Sequence, residues 1–297
     1  MYKLSITVIY FFFYSLLGWI VESIYCSIGE RKLINRGFLT GPICPIYGTG
    51  AVVMSLFLTP IKNLNIPFTV FGRNFSFVPI LIFLVGLLLA DTVEFFTSLI
   101  MEKLFHARWW DYSDKPFNIQ GRICLQHSVY WGMASIVFMY LVHPFFADIL
   151  GKLFPLTAPK RLYLVLALIL FVFLLDLANA VKNALDVKSL MGKLNKLTGS
   201  MVSFKDEAIN IFNEKFGELQ AGTTKRLEGF NKQINDVFLA FGFKGKAKDT
   251  KAKEADKNRL LWAYPNFRRR VKEQLSGLEE ILDEIKHKFS DDDTEMY

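Results

Sequence analysis

Seven ionisable residues in this chain have the type and placement to act on a charged ligand. Glu22 closes one apolar run (LLGWIVE, residues 16–22), and Asp91 and Glu94 close another (LLADTVE, residues 88–94). A carboxylate at membrane depth is costly, so it turns into a helix bundle and finds a partner there. Arg36 and Arg122, in the loops that follow, are the candidate partners of Glu22 and Glu94. Asp91 and Glu94 are three apart and share a helix face, where two close carboxylates can hold one proton between them. That arrangement suits a proton or cation pathway. Acids fixed by Arg or by Trp19, or left solvated at the membrane interface, carry the same signature. Arg108 lies in HARWWDYSDKPFNIQGR (residues 106–122) with Asp111, Asp114 and Lys115 around it. It belongs either to a polar-substrate site or to a set of mutually paired charges. His127, just inside the next apolar run, is the candidate proton carrier, with a hydrogen-bonded packing role as its alternative.

Other chemistries find little support. No G-x-x-x-x-G-K-[ST] loop is present, so ATP hydrolysis through a P-loop is not expected of this chain. Cys26, Cys44 and Cys124 show no C-x-x-C spacing and read as small buried residues, so neither a metal nor a cofactor is expected. Basic residues are diluted by acids and form no stripe, which argues against nucleic acid.

The elements that must position these residues are membrane spans. The chain has 297 residues, 52% of them hydrophobic, with 29 Phe and a mean hydropathy of +0.28. Its apolar residues gather in five runs of about the length that crosses a bilayer: 5–28, 43–61, 77–100, 123–149 and 162–181. The first is too long for a signal peptide, carries Glu22 and has no A-x-A site after it. The expected fold is therefore all-α, a polytopic helix bundle over residues 1–182 with a charged tail. From Lys182 on lie 22 of the 35 basic and 19 of the 28 acidic residues. Such a tail is cytoplasmic by preference, and five spans then put the N-terminus outside. The location expected is the plasma membrane, multi-pass.

Both LLGWIVE and LLADTVE are followed by Asn, Arg and Gly and then by Ile-Cys, at Ile43-Cys44 and Ile123-Cys124. The second copy is the longer, with RWWDYSDK as the insertion. We read two hairpin repeats related by an axis along the membrane normal, with the polar site at their interface. NRGFLTGPICPIYGTGA (residues 35–51) lies between Glu22 and the second run. Pro42 suits a first helical turn. The following Pro45, Gly48 and Gly50 give either an irregular entry with free N–H groups for an anion or close small-residue helix packing. Trp109, Trp110 and Tyr112 suit a membrane interface.

In the tail, Leu194, Leu197, Met201, Phe204, Ala208 and Ile211 follow heptad spacing. Leu227, Phe230, Ile234, Val237 and Phe241 resume it after a break near residues 217–223. Residues 183–243 read as a heptad-patterned helix, 244–258 as a charged linker, and 259–297 as an amphipathic helix with an acidic end. The pattern suggests a helical hairpin or a coiled-coil arm, the latter suited to self-association. LLWAYPNFRRR (residues 260–270) could dock on the inner leaflet or fold onto the bundle.

GWIVES, NRGFLTGPICPIYGTGA, DTVEFFTSLIMEKLFHARWWDYSDKPFNIQGRICLQHSVYWG and His143-Pro144 together resemble the bacterial family called putative ABC-transporter type IV, over residues 18–144. The resemblance implies a permease-like membrane subunit whose ATPase, if it has one, is a separate chain. It brings no catalytic residues. WAYPNF is similar to a short element seen after the spans in relatives. Two other classes stay open: a membrane enzyme acting on a lipid-linked substrate, with Glu22 or Asp91 as base, and a non-catalytic scaffold working through its tail.

Overall fold

In the computed structural model, residues 2–70, 73–155, 159–214, 220–241, 243 and 259–290 are described. They are almost entirely helical. The elements are α1 (Tyr2–Glu30), α2 (Pro45–Lys62), a hairpin of β1 (Pro67–Val70) and β2 (Arg73–Ser76), and α3 (Val78–Phe105). A minimal ladder of β3 (Asn118–Ile119) and β4 (Ile123–Cys124) precedes α4 (Leu125–Val137), a π-turn (Phe138–Val142) and α5 (His143–Leu153). The chain continues through α6 (Pro159–Glu214), α7 (Gln220–Ala240), α8 (Arg259–Ala263) and α9 (Pro265–Ser290).

Among the described residues, four stretches are long and apolar enough to cross a membrane: Tyr2–Glu30, Val78–Phe105, Leu125–Leu153 and part of α6. They match runs one, three, four and five. Run two is α2, only 18 residues between Pro45 and Lys62, and it is not among the four. Between runs two and three the chain forms the β1–β2 hairpin.

The chain divides into two compact units. Unit one is Met1–Leu104 with Arg108–Val181. One core joins α2 and α3 through Met54, Leu58, Val78, Ile82 and Ala90, closed by Met139 of the π-turn and packed by Trp131 and Ile136 of α4. A second joins α1, α5 and α6 through Ile9, Leu150 and Leu162. Glycines set the closest approaches. Gly48 of α2 lies against Ser15 and the Phe11 carbonyl of α1, and Gly18 of α1 lies under the Tyr47 ring. Gly86 of α3 meets Ser135 of α4, and Gly132 of α4 meets Phe83 of α3. A Cβ at any of the four would collide, which is small-residue packing at its tightest.

The Gly/Pro-rich stretch 35–51 is therefore no irregular entry. Its loop ends at Cys44, the N-cap residue, and a regular helix starts at Pro45 rather than at Pro42. Proline is pre-set for that first position and has no N–H to leave unpaired. The expected anion is present, but it belongs to the chain. Asp176 of α6 accepts from the Thr40 N–H at 3.0 Å and the Gly41 N–H at 2.8 Å. Asn179 adds a bond to the Thr40 hydroxyl at 3.2 Å.

The π-turn has a local cause. The His143 N–H donates to the Phe138 carbonyl, five residues back. The Met139 carbonyl would need the N–H of residue 144, and Pro144 has none. Lys62 Nζ at the end of α2 supplies the missing donor at 2.7 Å. Beside it, the Tyr14 hydroxyl and His143 Nδ1 are 2.8 Å apart.

Unit two is Lys182–Tyr297 with Phe105–Ala107. Its apolar stripes are buried within the chain: Leu194, Leu197, Met201, Phe204 and Ala208 on α6; Leu227, Ile234 and Val237 on α7, with Phe241 just after it; Val271, Leu275, Leu278, Leu282 and Ile285 on α9. The Lys205–Glu284 pair at 2.6 Å ties α6 to α9. These stripes therefore pack within the chain. Leu260, Leu261, Tyr264 and Phe267 are buried as well, so the apolar part of residues 260–270 is not presented to a leaflet. Linker 244–258, the centre of the break near 217–223, Ile211 as a packing side chain, and the acidic end lie outside the described residues.

Candidate functional site

The site grows from one face of α3. Asp91, Glu94, Ser98 and Glu102 recur at steps of three, four and four, which places them in a single stripe along the helix. Each meets a different element. Asp91 Oδ2 accepts from Ser128 Oγ of α4 at 2.7 Å, while its Oδ1 is buried without a partner. Glu94, 7% exposed, accepts from the Tyr112 hydroxyl at 3.0 Å and from Trp131 Nε1 of α4 at 3.0 Å. Ser98 accepts from Arg122 at 3.1 Å. Glu102 takes Arg122 at 2.5 Å and Arg108 Nε at 2.9 Å.

Arg122 therefore does not pair with Glu94, contrary to expectation. It reaches Glu102, two turns further along α3, and packs over the Phe95 ring at 5.8 Å. Arg108 also approaches Asp111 at 3.9 Å and donates to the Gln120 carbonyl at 3.3 Å. This is the paired-charge arrangement.

The other half is simpler. Glu22 and Arg36 pair at 2.8 Å, as the sequence suggests, and Ser23 Oγ accepts from the Arg36 N–H at 3.2 Å. Tyr47 of α2 lies within hydrogen-bonding reach of Glu22. Trp19 donates to Asn35 at 2.7 Å and Asn35 to the Thr40 carbonyl at 2.8 Å, so Trp19 holds the loop rather than an acid.

The halves meet through aromatics. Tyr47 and Trp131 stand edge to face at 5.9 Å, and Glu22 lies close enough for its charge to act on both Glu94 and Tyr112. Burial, and then the Glu94 charge, push the Tyr112 phenol well above the usual tyrosine range, so it stays a donor. The 106–122 aromatics turn inward instead of lining the membrane interface. Trp109 is buried against Phe38 at 6.2 Å, and Trp110 donates to the Arg122 carbonyl at 3.2 Å. His127 stacks on Tyr112 at 4.4 Å and its Nδ1 is 3.1 Å from Cys124 Sγ. That contact makes Cys124 more than a filler.

Six of the seven predicted residues fall into these two connected groups directly, and His127 joins through Tyr112. Sequence reasoning missed Tyr47, Trp131, Ser98, Glu102 and Asp176. Glu102 could have been found from its four-residue step beyond Ser98, and Asp176 from the same signal as Glu22, an acid in an apolar run. Among the described residues no cluster of His, Cys, Asp and Glu has the makings of a metal site.

No curated protein and no solved structure matches the chain. A model of the family described as putative ABC-transporter type IV matches residues 9–181, and the chain belongs to that family. The match runs beyond 18–144 to the end of the last apolar run and leaves out the tail.

Proposed function

We propose that this member of the putative ABC-transporter type IV family is a permease-like transporter component whose polar site lies where the α1–α2 and α3–α4 pairs meet. One observation carries the reading. Glu22 and Glu102 each have an arginine, but Asp91 and Glu94 have only neutral donors among the described residues. Acids in an apolar span normally find a cation. Here the cation is the cargo or the coupling ion, and the faces of Trp131, Tyr112 and Tyr47 suit an ammonium group.

The finer reading keeps five spans, with the N-terminus outside and the tail cytoplasmic in a bacterial plasma membrane. It also keeps the duplicated hairpin, supported by two helices that each start directly after the Cys of a G-x-I-C stretch and by one glycine from each helix at each pair's contact. The chain has no catalytic role of its own, and the ATPase is a separate polypeptide. The Cys124–His127 contact is the one feature favouring an enzyme, but the sulfur is buried, and the arginines that would grip a phosphate are already engaged.

Affinity purification from native membranes in mild detergent tests this. A stoichiometric ATPase, with uptake of a cationic tracer by the reconstituted complex, is the expected result. Recovery of the chain alone across detergents, or with a lipid-linked intermediate, would overturn it.

A further inference from the structure

The β1–β2 hairpin has two unlike faces. Its register pairs Phe68 with Phe75, Pro67 with Ser76 and Val70 with Arg73, and the Phe77 N–H extends the ladder to the Ile66 carbonyl at 2.9 Å. Side chains alternate along a strand, so Ile66, Phe68, Phe75 and Phe77 share one face with Arg73. Pro67, Asn74 and Ser76 take the other. The rings hold together, Phe68 stacked on Phe75 at 5.6 Å and meeting Phe77 edge-on at 5.5 Å. Yet Ile66, Phe75 and Phe77 remain 39–49% exposed. No third strand joins the hairpin among the described residues, and a lone two-stranded hairpin with a bare apolar face is marginal in water.

What covers that face follows from its position. Phe77 directly precedes Val78, the first residue of a membrane-crossing helix, and the hairpin begins five residues after Lys62. On α3 itself Ile80, Leu84 and Leu88, four residues apart, are 43–62% exposed, as suits a membrane-crossing helix with a face turned to lipid. Aromatic residues concentrate at the boundary of headgroups and acyl chains, and an arginine beside them suits lipid phosphate. We propose that the hairpin lies on the bilayer with Ile66, Phe68, Phe75 and Phe77 in the acyl boundary, Arg73 at the headgroups and Asn74 in water. The occupant of the face is lipid, not a second copy or another protein. The proposal rests on the membrane placement alone and is independent of what the chain carries.

The test is site-directed spin labelling of the full chain in vesicles of phosphatidylethanolamine and phosphatidylglycerol. Phe75→Cys and Asn74→Cys are labelled separately, with Phe77→Cys and Ser76→Cys as a second pair should either first variant misfold. The unsubstituted chain gives the background from the native cysteines. Labels at 75 and 77 should collide with oxygen several-fold more, and with an aqueous nickel chelate several-fold less, than labels at 74 and 76. Equal access of all four to the chelate would overturn the proposal. So would labels at 75 shielded from both reagents, or broadened by a label on a second copy.

Discussion

Glu94 and Glu102 lie two turns apart on α3, and the same substitution should affect them in opposite ways. Glu102 neutralises Arg122, whose side chain is 7% exposed, and Glu102→Gln leaves that guanidinium without its charge partner. Breaking a fully buried pair costs about 3–5 kcal/mol. Glu102 is itself 30% exposed, so a loss of about 2 kcal/mol is expected, read as a lowered Tm in detergent. Glu94 neutralises nothing. Glu94→Gln should leave Tm nearly unchanged and lower cation uptake about tenfold or more, the equivalent of ~1.4 kcal/mol. A Glu94 variant that unfolds, or a Glu102 variant that only loses uptake, would reverse the two assignments. The acids themselves were legible, because a carboxylate in an apolar run stands out. Their partners were not. Whether Arg122 reaches Glu94 or Glu102 depends on where the 106–122 loop returns to α3, and loop geometry has no periodicity to read. Trp131 and Tyr47 look like packing residues until their polar edges are placed.

Single residues also decide how the helices pack, and here two glycines of one helix separate. Gly48 has no room for a side chain against α1, whereas a Cβ at Gly50 would meet nothing. Gly48→Val should cost about 1–3 kcal/mol by overpacking, while Gly50→Ala should be neutral or gain up to about 1 kcal/mol. Thermal unfolding of both variants checks the contrast. In the sequence the two are indistinguishable, since spacing shows that glycines are present but not which one faces a neighbour. The π-turn was equally hidden. His143-Pro144 marks a place where a helix loses a donor, but the replacement comes from Lys62, 77 residues earlier than Met139. Lys62→Met should leave the Met139 carbonyl unsatisfied at a cost of about 1–3 kcal/mol. Restoring an N–H with Pro144→Ala should recover most of that loss, and a double-mutant cycle in Tm would show the coupling. Additive effects of the two changes would remove Lys62 from this role.

For the whole molecule the open quantity is whether α2 crosses. Its 18 residues make about 27 Å of helix, slightly short of a hydrocarbon core of about 30 Å. Local thinning, or Lys62 reaching back along its own stem, closes such a gap at small cost. Lys62 is already turned inward to the Met139 carbonyl, and Gly48 locks α2 along α1, so α2 has the contacts of a span within the bundle. The four longer stretches were legible from apolar run length. α2 was legible only as a run, because Pro45, Gly48 and Gly50 lower its apolar content for reasons of packing. If α2 crosses, a reporter ahead of α1 and one in the hairpin at Asn74 lie outside, while one after Lys182 lies in the cytoplasm. A phosphatase active only outside and a fluorescent protein folding only inside distinguish the sides. Reporters ahead of α1 and after Lys182 on the same side would make the count four and leave α2 as a re-entrant helix. The Glu22–Arg36 pair, whose loop leads into α2, would then border that helix's mouth instead of the interface between two hairpins.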